Sequence, residues 1–315
     1  MIEKIAVLGA GTMGHGIAET FAMNGYTVNL YENYEPVRNT VMDTIKDELT
    51  FLCENGVLTE EAVGESLSRI HLFADLAEAV GDADYVIEAT PEKMELKQEL
   101  FAELDRLCKA EAILASNTSS LPLMEMAAKL PEERKTRMMV CHWYNPAHLM
   151  PIAELSFFGN IEDATYKEVE ELYNKAGKQT VKVLKDIPGM VANRIQQAVA
   201  REVFALMEDQ VASPEDIDKA LKFGPAFRYA TTGQLEVADM GGLDIWCTVG
   251  DNLLSVMDSR KEANPILREK VKAKKLGLKT GEGFFKYPQE EVEHIKNVFN
   301  KRLIVQLKAS QNYIN

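Results

Sequence analysis

The sequence has no CxxC pair, no long basic run and no uninterrupted apolar stretch near the roughly 18 residues needed to cross a bilayer. Its four cysteines, at 53, 108, 141 and 247, form no metal-ligand cluster, the pattern of reduced thiols in a cytoplasmic protein. No metal site is expected. No charged, apolar and cleavable leader precedes the first strand, expected near Glu3. The phosphate-loop pattern G-x-x-x-x-G-K-[ST] is missing, which argues against ATP. Basic residues are also in short supply, 35 against 49 acidic ones. Such a surface repels nucleic acid and anionic membranes, so neither is an expected partner. What remains is a cytoplasmic globular chain of 315 residues, 46% hydrophobic, with enough apolar material for two domains and no internal repeat.

The first half is organised as a nucleotide fold. The apolar run "MIEKIAVL" leads directly into "GAGTMGHGIAETFAMNG" and then "YTVNLYE", which reads as strand, glycine turn, helix and strand. Gly9, Gly11 and Gly14 occupy the G-x-G-x-x-G positions. They suit, in turn, a tight turn, close approach of a pyrophosphate and close packing of helix on sheet. Glu32 follows Gly14 by 18 positions, where an acid can bond the adenosine ribose hydroxyls and repel a 2′-phosphate. The expected cofactor is NAD, held by Gly9, Gly11, Thr12, Met13, Gly14 and Glu32.

Further strands are expected at "RIHLFADL", "ADYVIEATPE", "AILASNTSSL" and "RMMVCHWYNP", with helical patterns such as "KMELKQELFAELDRLCK" between several of them. The fold class is α/β, a doubly wound, mainly parallel sheet of Rossmann type whose ligands lie beyond the carboxyl ends of the strands. Three of those ends carry polar clusters, Glu88 to Glu92, Ser116 to Ser120 and His142 to Asn145, which should converge on one crevice. Residues 36–68 read as an inserted helical hairpin turning at Asn55-Gly56. Past Pro188-Gly189 the strand signals end and helices are expected over 190–209, 214–222, 242–258 and about 289–310. The domains are therefore 1–187, the nucleotide-binding sheet, and 188–315, all-α. Large apolar helical faces of this kind need a partner, so a homodimer through the second domain is expected.

The stretch "CHWYNPAHLMPIAEL" interrupts an apolar run with His142, Asn145-Pro146, His148 and Glu154. A neutral imidazole can take a hydroxyl proton as hydride leaves for a nicotinamide. A carboxylate partner fixes its tautomer and stabilises the imidazolium. Glu154 is the candidate partner of His142, because the turn between them lets the chain double back. His148 is a second candidate base. The plainer readings are a histidine bonded to a backbone carbonyl and a solvated glutamate, and His15, His71 and His294 are assigned to such structural roles.

These segments, with "VLGAGTMGHGIA", "SNTSSL", "KDIPGMVANRI" and "GLKTGEGFFKY", give the chain a resemblance to the 3-hydroxyacyl-CoA dehydrogenase family over nearly its whole length. The resemblance implies a Rossmann-type domain followed by a helical dimerisation domain, and a place in fatty acid metabolism. It implies NAD-dependent, reversible oxidation of a short L-3-hydroxyacyl-CoA of the 3-hydroxybutyryl type. It further implies that His142 is the general base, Glu154 its orienting carboxylate and Ser119 a substrate contact. Asn145 and Asn193 would contact the reacting oxygen, and Glu92, Lys97 and Asn117 would lie along the NAD.

Two departures bear on the substrate. The hairpin "TFLCENGVLTEEAVGE" carries Glu54, Glu60, Glu61 and Glu65, with no lysine between Lys46 and Arg69, where short-chain acyl-CoA members carry clustered lysines. Arg228-Tyr229, in "FGPAFRYATTGQLEVADMGGLD", is similar to relatives that oxidise small free hydroxy acids, such as gulonate and carnitine dehydrogenases. Arg228 suits a carboxylate clamp, or equally a domain-interface ion pair. The alternative substrate is therefore a free hydroxy acid of gulonate, carnitine or aromatic carboxylate type. A second alternative is a crystallin-like NAD-binding protein without significant activity.

Overall fold

The computed structural model describes residues 2–313, which divide into two units, one ending at Val191 and the other beginning at Ala192. In the first unit the apolar run at the start of the chain forms β1 (Lys4–Leu8), the glycine turn opens α1 (Gly14–Met23), and β2 (Thr27–Tyr31) follows. The insertion is α2 (Glu35–Arg38), α3 (Val41–Glu54) and α4 (Glu60–Ser68). Asn55 closes α3, Gly56 takes φ 66°, and the Thr59 side chain accepts from the Ala62 amide to start α4. Alternation then resumes with β3 (Ile70–Phe73), α5 (Leu76–Val80), β4 (Tyr85–Glu88), α6 (Met94–Leu107) and β5 (Ile113–Ser116). After two short helices, α7 (Leu123–Met126) and α8 (Glu132–Lys135), come β6 (Met138–Trp143), β7 (Ile152–Ser156), α9 (Asp163–Lys175) and β8 (Gln179–Val183).

The strands form one sheet in the order β3-β2-β1-β4-β5-β6-β7-β8, parallel except for the antiparallel β6·β7 pair. The order reverses between β1 and β4, the switch point where such sheets bind ligands. Buried residues cover both faces, which is why β1, β4, β5 and β6 read as continuous apolar runs. Phe21, Tyr85, Trp143 and Tyr173 meet edge-on or tilted. The Tyr173 hydroxyl accepts from Trp143 Nε1 at 2.9 Å and lies 2.8 Å from that of Tyr85, so the end of β6 is anchored in a satisfied core.

The second unit is helical: α10 (Ala192–Glu208), α11 (Pro214–Phe223), α12 (Pro225–Tyr229), α13 (Gly233–Gly241), α14 (Leu243–Leu253), α15 (Pro265–Lys272) and α16 (Val292–Ser310). Ser213 caps α11, accepting from Asp216 N, with Pro214 at its first position. The helices α12, α13 and α15 fall where glycines suggest turns or where no helix is expected. They are short, and α12 and α13 start beside Gly224 and at Gly233, so the breakers mark their junctions. Among the described residues no helix is long and apolar enough to cross a membrane.

Candidate active site

Loops at the carboxyl ends of β1, β2, β4 and β5 enclose a cleft of about 810 Å³. Its lining includes Gly9, Gly11, Thr12, Met13, Glu32, Glu92, Lys97, Asn117 and Ser119. Gly14 lies behind the turn. A Cβ there would sit 1.6 Å from the Gly9 carbonyl oxygen, so no side chain fits. Glu32 is held by the Ala10 and Tyr34 amides, each donating at 2.8 Å, which fixes its carboxylate at the rim. A bare glycine turn at a helix start, beside a fixed carboxylate, fits the pyrophosphate and ribose of NAD.

The floor of the cleft is a charged network. Lys97 is 1% exposed, and its ammonium donates to Glu88 at 2.6 Å and lies 3.4 Å from Glu92. Glu88 also accepts from the Ser116 hydroxyl and from the amide and hydroxyl of Thr90. Lys97 is therefore committed to carboxylates under the cleft, and Glu92 is the member that reaches outward. Burial raises the Glu92 carboxyl, but the Thr118 hydroxyl, Lys97 and Ser120 outweigh it and hold the group below its ordinary value. Glu92 also accepts from the Ser119 amide at 3.2 Å, which ties the Ser119 loop to the same wall.

His142 and Glu154 are direct cross-strand partners on β6 and β7. His142 Nδ1 lies 2.9 Å from Glu154 Oε2, with the glutamate fully buried and the imidazole 6% exposed. A carboxylate at Nδ1 puts the proton there and leaves a lone pair on Nε2, for which no protein partner is found among the described residues. The other Glu154 oxygen accepts from the Val191 amide at 2.9 Å. Gly189 (φ 80°) and Met190 (φ 45°) turn the chain to bring that amide round, Met190 in a region that non-glycine residues rarely adopt. Asn117 Oδ1 accepts from the Trp143 amide at 2.8 Å, linking the cleft to the strand that carries His142. Ser119 is half-buried with its carbonyl accepting from Gly189 N at 3.0 Å, and Asn145 is exposed in the loop after β6.

Tyr144 packs edge-on against His142 with ring centroids 5.0 Å apart, and its hydroxyl is buried without a partner. Burial raises it, aided by the charge of Glu154. The signal for this contact is local: at i, i+2 along an extended strand end, His142 and Tyr144 fall on one face. His148, the second candidate base, instead faces Glu19 and Glu48. In the helical unit Asn193 lies in the first turn of α10, and Arg228 is exposed on α12 without an ion-pair partner among the described residues.

The family model described as "3-hydroxyacyl-CoA dehydrogenase, NAD binding domain" matches residues 4–187, and that of the C-terminal domain matches 189–287. The chain is 32% identical over 306 residues, 96% of its length and 97% of the relative's, to 5-formyl-3-hydroxy-2-methylpyridine 4-carboxylate 5-dehydrogenase of Mesorhizobium japonicum. It is 38% identical over 290 residues, 92% of its length and 99% of the relative's, to a probable 3-hydroxybutyryl-CoA dehydrogenase of Bacillus subtilis. A solved structure of the pyridine carboxylate 5-dehydrogenase, described as an NAD+-dependent dismutase, superposes with a TM-score of 0.88 at 31% identity and 97% coverage of both chains. A (S)-3-hydroxybutyryl-CoA dehydrogenase from Ralstonia eutropha gives a TM-score of 0.72 at 32% identity, covering 92% of this chain and all of that one. The chain therefore belongs to the 3-hydroxyacyl-CoA dehydrogenase family, as an NAD-dependent oxidoreductase acting on a CH–OH group.

Proposed function

We propose that this chain oxidises the hydroxyl of a small free carboxylic acid, reversibly, with His142 as general base. Nε2 of the neutral imidazole accepts the substrate's hydroxyl proton, and Nδ1 keeps its own proton in the bond to Glu154. The buried Glu154 carboxylate then faces an imidazolium at 2.9 Å and stabilises it. Bound NAD+ would supply the hydride acceptor. Gly9, Gly11, Thr12, Met13, Gly14, Glu32, Glu92 and Asn117 would hold it, with Lys97 setting the position of Glu92 from below. Ser119, Asn145 and Asn193 are assigned to the substrate's oxygen atoms.

The observation that carries the substrate class is the surface of the hairpin. Asp43, Asp47, Glu54, Glu60, Glu61 and Glu65 are all exposed there, against the lone lysine Lys46. Such a face repels the several phosphate charges of coenzyme A more strongly than the single carboxylate of a small acid. The likeness to the pyridine carboxylate enzyme supports the same reading, since that structure superposes with a TM-score of 0.88 over 97% of this chain, against 0.72 over 92% for the Ralstonia eutropha 3-hydroxybutyryl-CoA enzyme. Arg228, exposed and without an ion pair among the described residues, is the candidate clamp for the substrate carboxylate. A short-chain acyl-CoA substrate is the second reading, favoured by the 38% identity to the Bacillus subtilis protein.

The two readings separate in one assay: NADH oxidation with acetoacetyl-CoA, free acetoacetate, other small keto acids and pyridine carboxylate aldehydes. Turnover of a free acid is expected, with Arg228→Met raising its KM about 10-fold or more. Turnover of the CoA ester alone overturns the free-acid assignment. We also propose a homodimer through the second unit, where Leu235, Met240, Leu254 and Val256 are more than two-thirds exposed in the single chain. Light scattering on the purified protein should give twice the chain mass.

A further inference from the structure

A second group of histidine and carboxylates lies under the glycine turn and takes no part in the chemistry above. Glu19 on α1, Glu48 on α3 and His148 in the loop between β6 and β7 bring one ligand atom each to within 4.8 Å of one another. Glu19 is fully buried, and neither of its oxygens has a hydrogen-bond donor from the backbone or a basic side chain among the described residues. Glu48 Oε2 and His148 Nδ1 are buried without a hydrogen bond among the described residues. Glu48 Oε2 lies 3.3 Å from His15 Nε2 and 3.6 Å from His148 Nδ1, which is 3.8 Å from Glu19. An unpartnered carboxylate with zero exposure demands either a proton or a cation.

The surrounding groups do not meet that demand. Lys178 donates to the carbonyls of Ala147 and Met150 at 2.6 and 2.8 Å and makes no ion pair with Glu19. His15 lies 3.3 Å from Glu48, on the side of the Gly11 carbonyl, to which its Nδ1 is bonded at 2.7 Å. The donors are two oxygens and an imidazole nitrogen, a set that suits borderline divalent metals over magnesium or calcium. Bonds of about 2.1 Å around a tetrahedral ion put neighbouring ligand atoms about 3.4 Å apart. That is a little inside the 3.6 and 3.8 Å from His148 Nδ1 to the two acids, so the three atoms, all within 4.8 Å of one another, would draw in on an ion. Gly16 makes the approach possible. A Cβ there would meet Ala147 Cβ at 3.2 Å, so a larger residue would push this loop away from α1 by a few tenths of an ångström.

We propose that Glu19, Glu48 and His148 bind one divalent transition-metal ion, of the zinc or manganese class, which staples α1, the hairpin helix α3 and the loop after β6 together. The role is structural, because each ligand comes from a different element and none belongs to the His142–Glu154 pair. Burial supports the arrangement. It pushes His148 down, toward the neutral form that ligates, and pushes Glu19 up, with the Glu48 charge and a hydrogen bond to Glu48 adding to the shift. At Glu48 burial is outweighed by His15, Glu19 and His148, which hold that carboxyl down as the charged member of the pair.

The test uses the full-length protein, stripped with a chelator and titrated with Co2+ as the probe. Expected is one ion per chain, visible d–d absorption of a four- or five-coordinate centre, and a higher unfolding temperature. Glu19→Gln and His148→Gln should each weaken binding at least 10-fold, while His142→Gln leaves it unchanged. Far-ultraviolet circular dichroism monitors folding, and Glu48→Gln replaces either variant if it does not fold. Three outcomes overturn the proposal. One is no binding of Co2+, Zn2+ or Mn2+ by the wild type, which would mean that Glu19 and Glu48 share a proton instead. The others are undiminished binding in the Glu19 and His148 variants, or loss of binding in His142→Gln, which would put the ion at the catalytic pair.

Discussion

The sheet unit buries histidine against glutamate twice, and the two places are built to opposite rules. At His142 both oxygens of Glu154 are taken up, one by the imidazole and one by the Val191 amide, and a single ring nitrogen is left open. At His148 the acids come as a pair, and three of their four oxygens, along with the ring Nδ1, lack a hydrogen bond among the described residues and meet their neighbours only at 3.3–3.8 Å. In the first arrangement only Nε2 of the ring is left open, whereas in the second the carboxylate oxygens themselves are. On the proposed readings, the same residue types thus serve as a general base in one place and as a metal-ligand set in the other. The difference lies in which lone pairs the backbone has already satisfied.

Substitutions can set the two places against each other. His142→Ala should have the largest effect, a loss of about 10³–10⁴ in kcat with NAD affinity unchanged, read by steady-state kinetics. Calorimetry should show a lower unfolding temperature, because the buried Glu154 carboxylate loses its imidazole partner. If turnover survives, the comparison collapses. Glu154→Gln should cost about 10²-fold or more in kcat, since an amide neither stabilises the imidazolium nor holds the tautomer. It should also lower stability. Glu19→Gln should act in the opposite direction: in chelator the neutral side chain relieves a buried carboxylate and raises stability by about 1 kcal/mol, or roughly 2–4 °C in melting temperature. A drop of similar size would mean that Glu19 has a partner after all.

The smallest effect is a pH dependence. Burial pushes the Lys178 ammonium, which holds the His148 loop, from its ordinary 10.5 down to about 7, against a weaker opposing pull from Glu19. Folding then releases this proton between those values, because the unfolded chain binds it more tightly. The contribution of Lys178 to stability therefore rises with pH across that window and is flat below it. Lys178→Met should remove that rise from chemical-denaturation curves taken at several pH values.

The first of these two places was legible in the sequence and the second was not. His142 and Glu154 are separated by a turn-forming segment on two apolar runs, so local signals permitted the contact, and the two are register partners. The glycine turn and Glu32 were legible for the same reason, since strand, turn, helix and strand are contiguous. Glu19, Glu48 and His148 belong to three elements brought together only by tertiary packing, and each alone reads as an ordinary helix or loop residue. Lys97 shows the same limit. Its position near the cofactor followed from the resemblance, but its burial against Glu88 depends on where α6 lies on the sheet. In the helical unit, glycines that read as breaks turned out to be junctions between short helices.

The bond from the Val191 amide to Glu154 lends itself to spectroscopy. That amide proton sits on the far side of the carboxylate from the imidazole, so its chemical shift and its exchange with solvent report the charge state of the pair without touching the face where a substrate would bind. Val191 is an intrinsic probe of the base, readable in an isotope-labelled protein before any substrate is known.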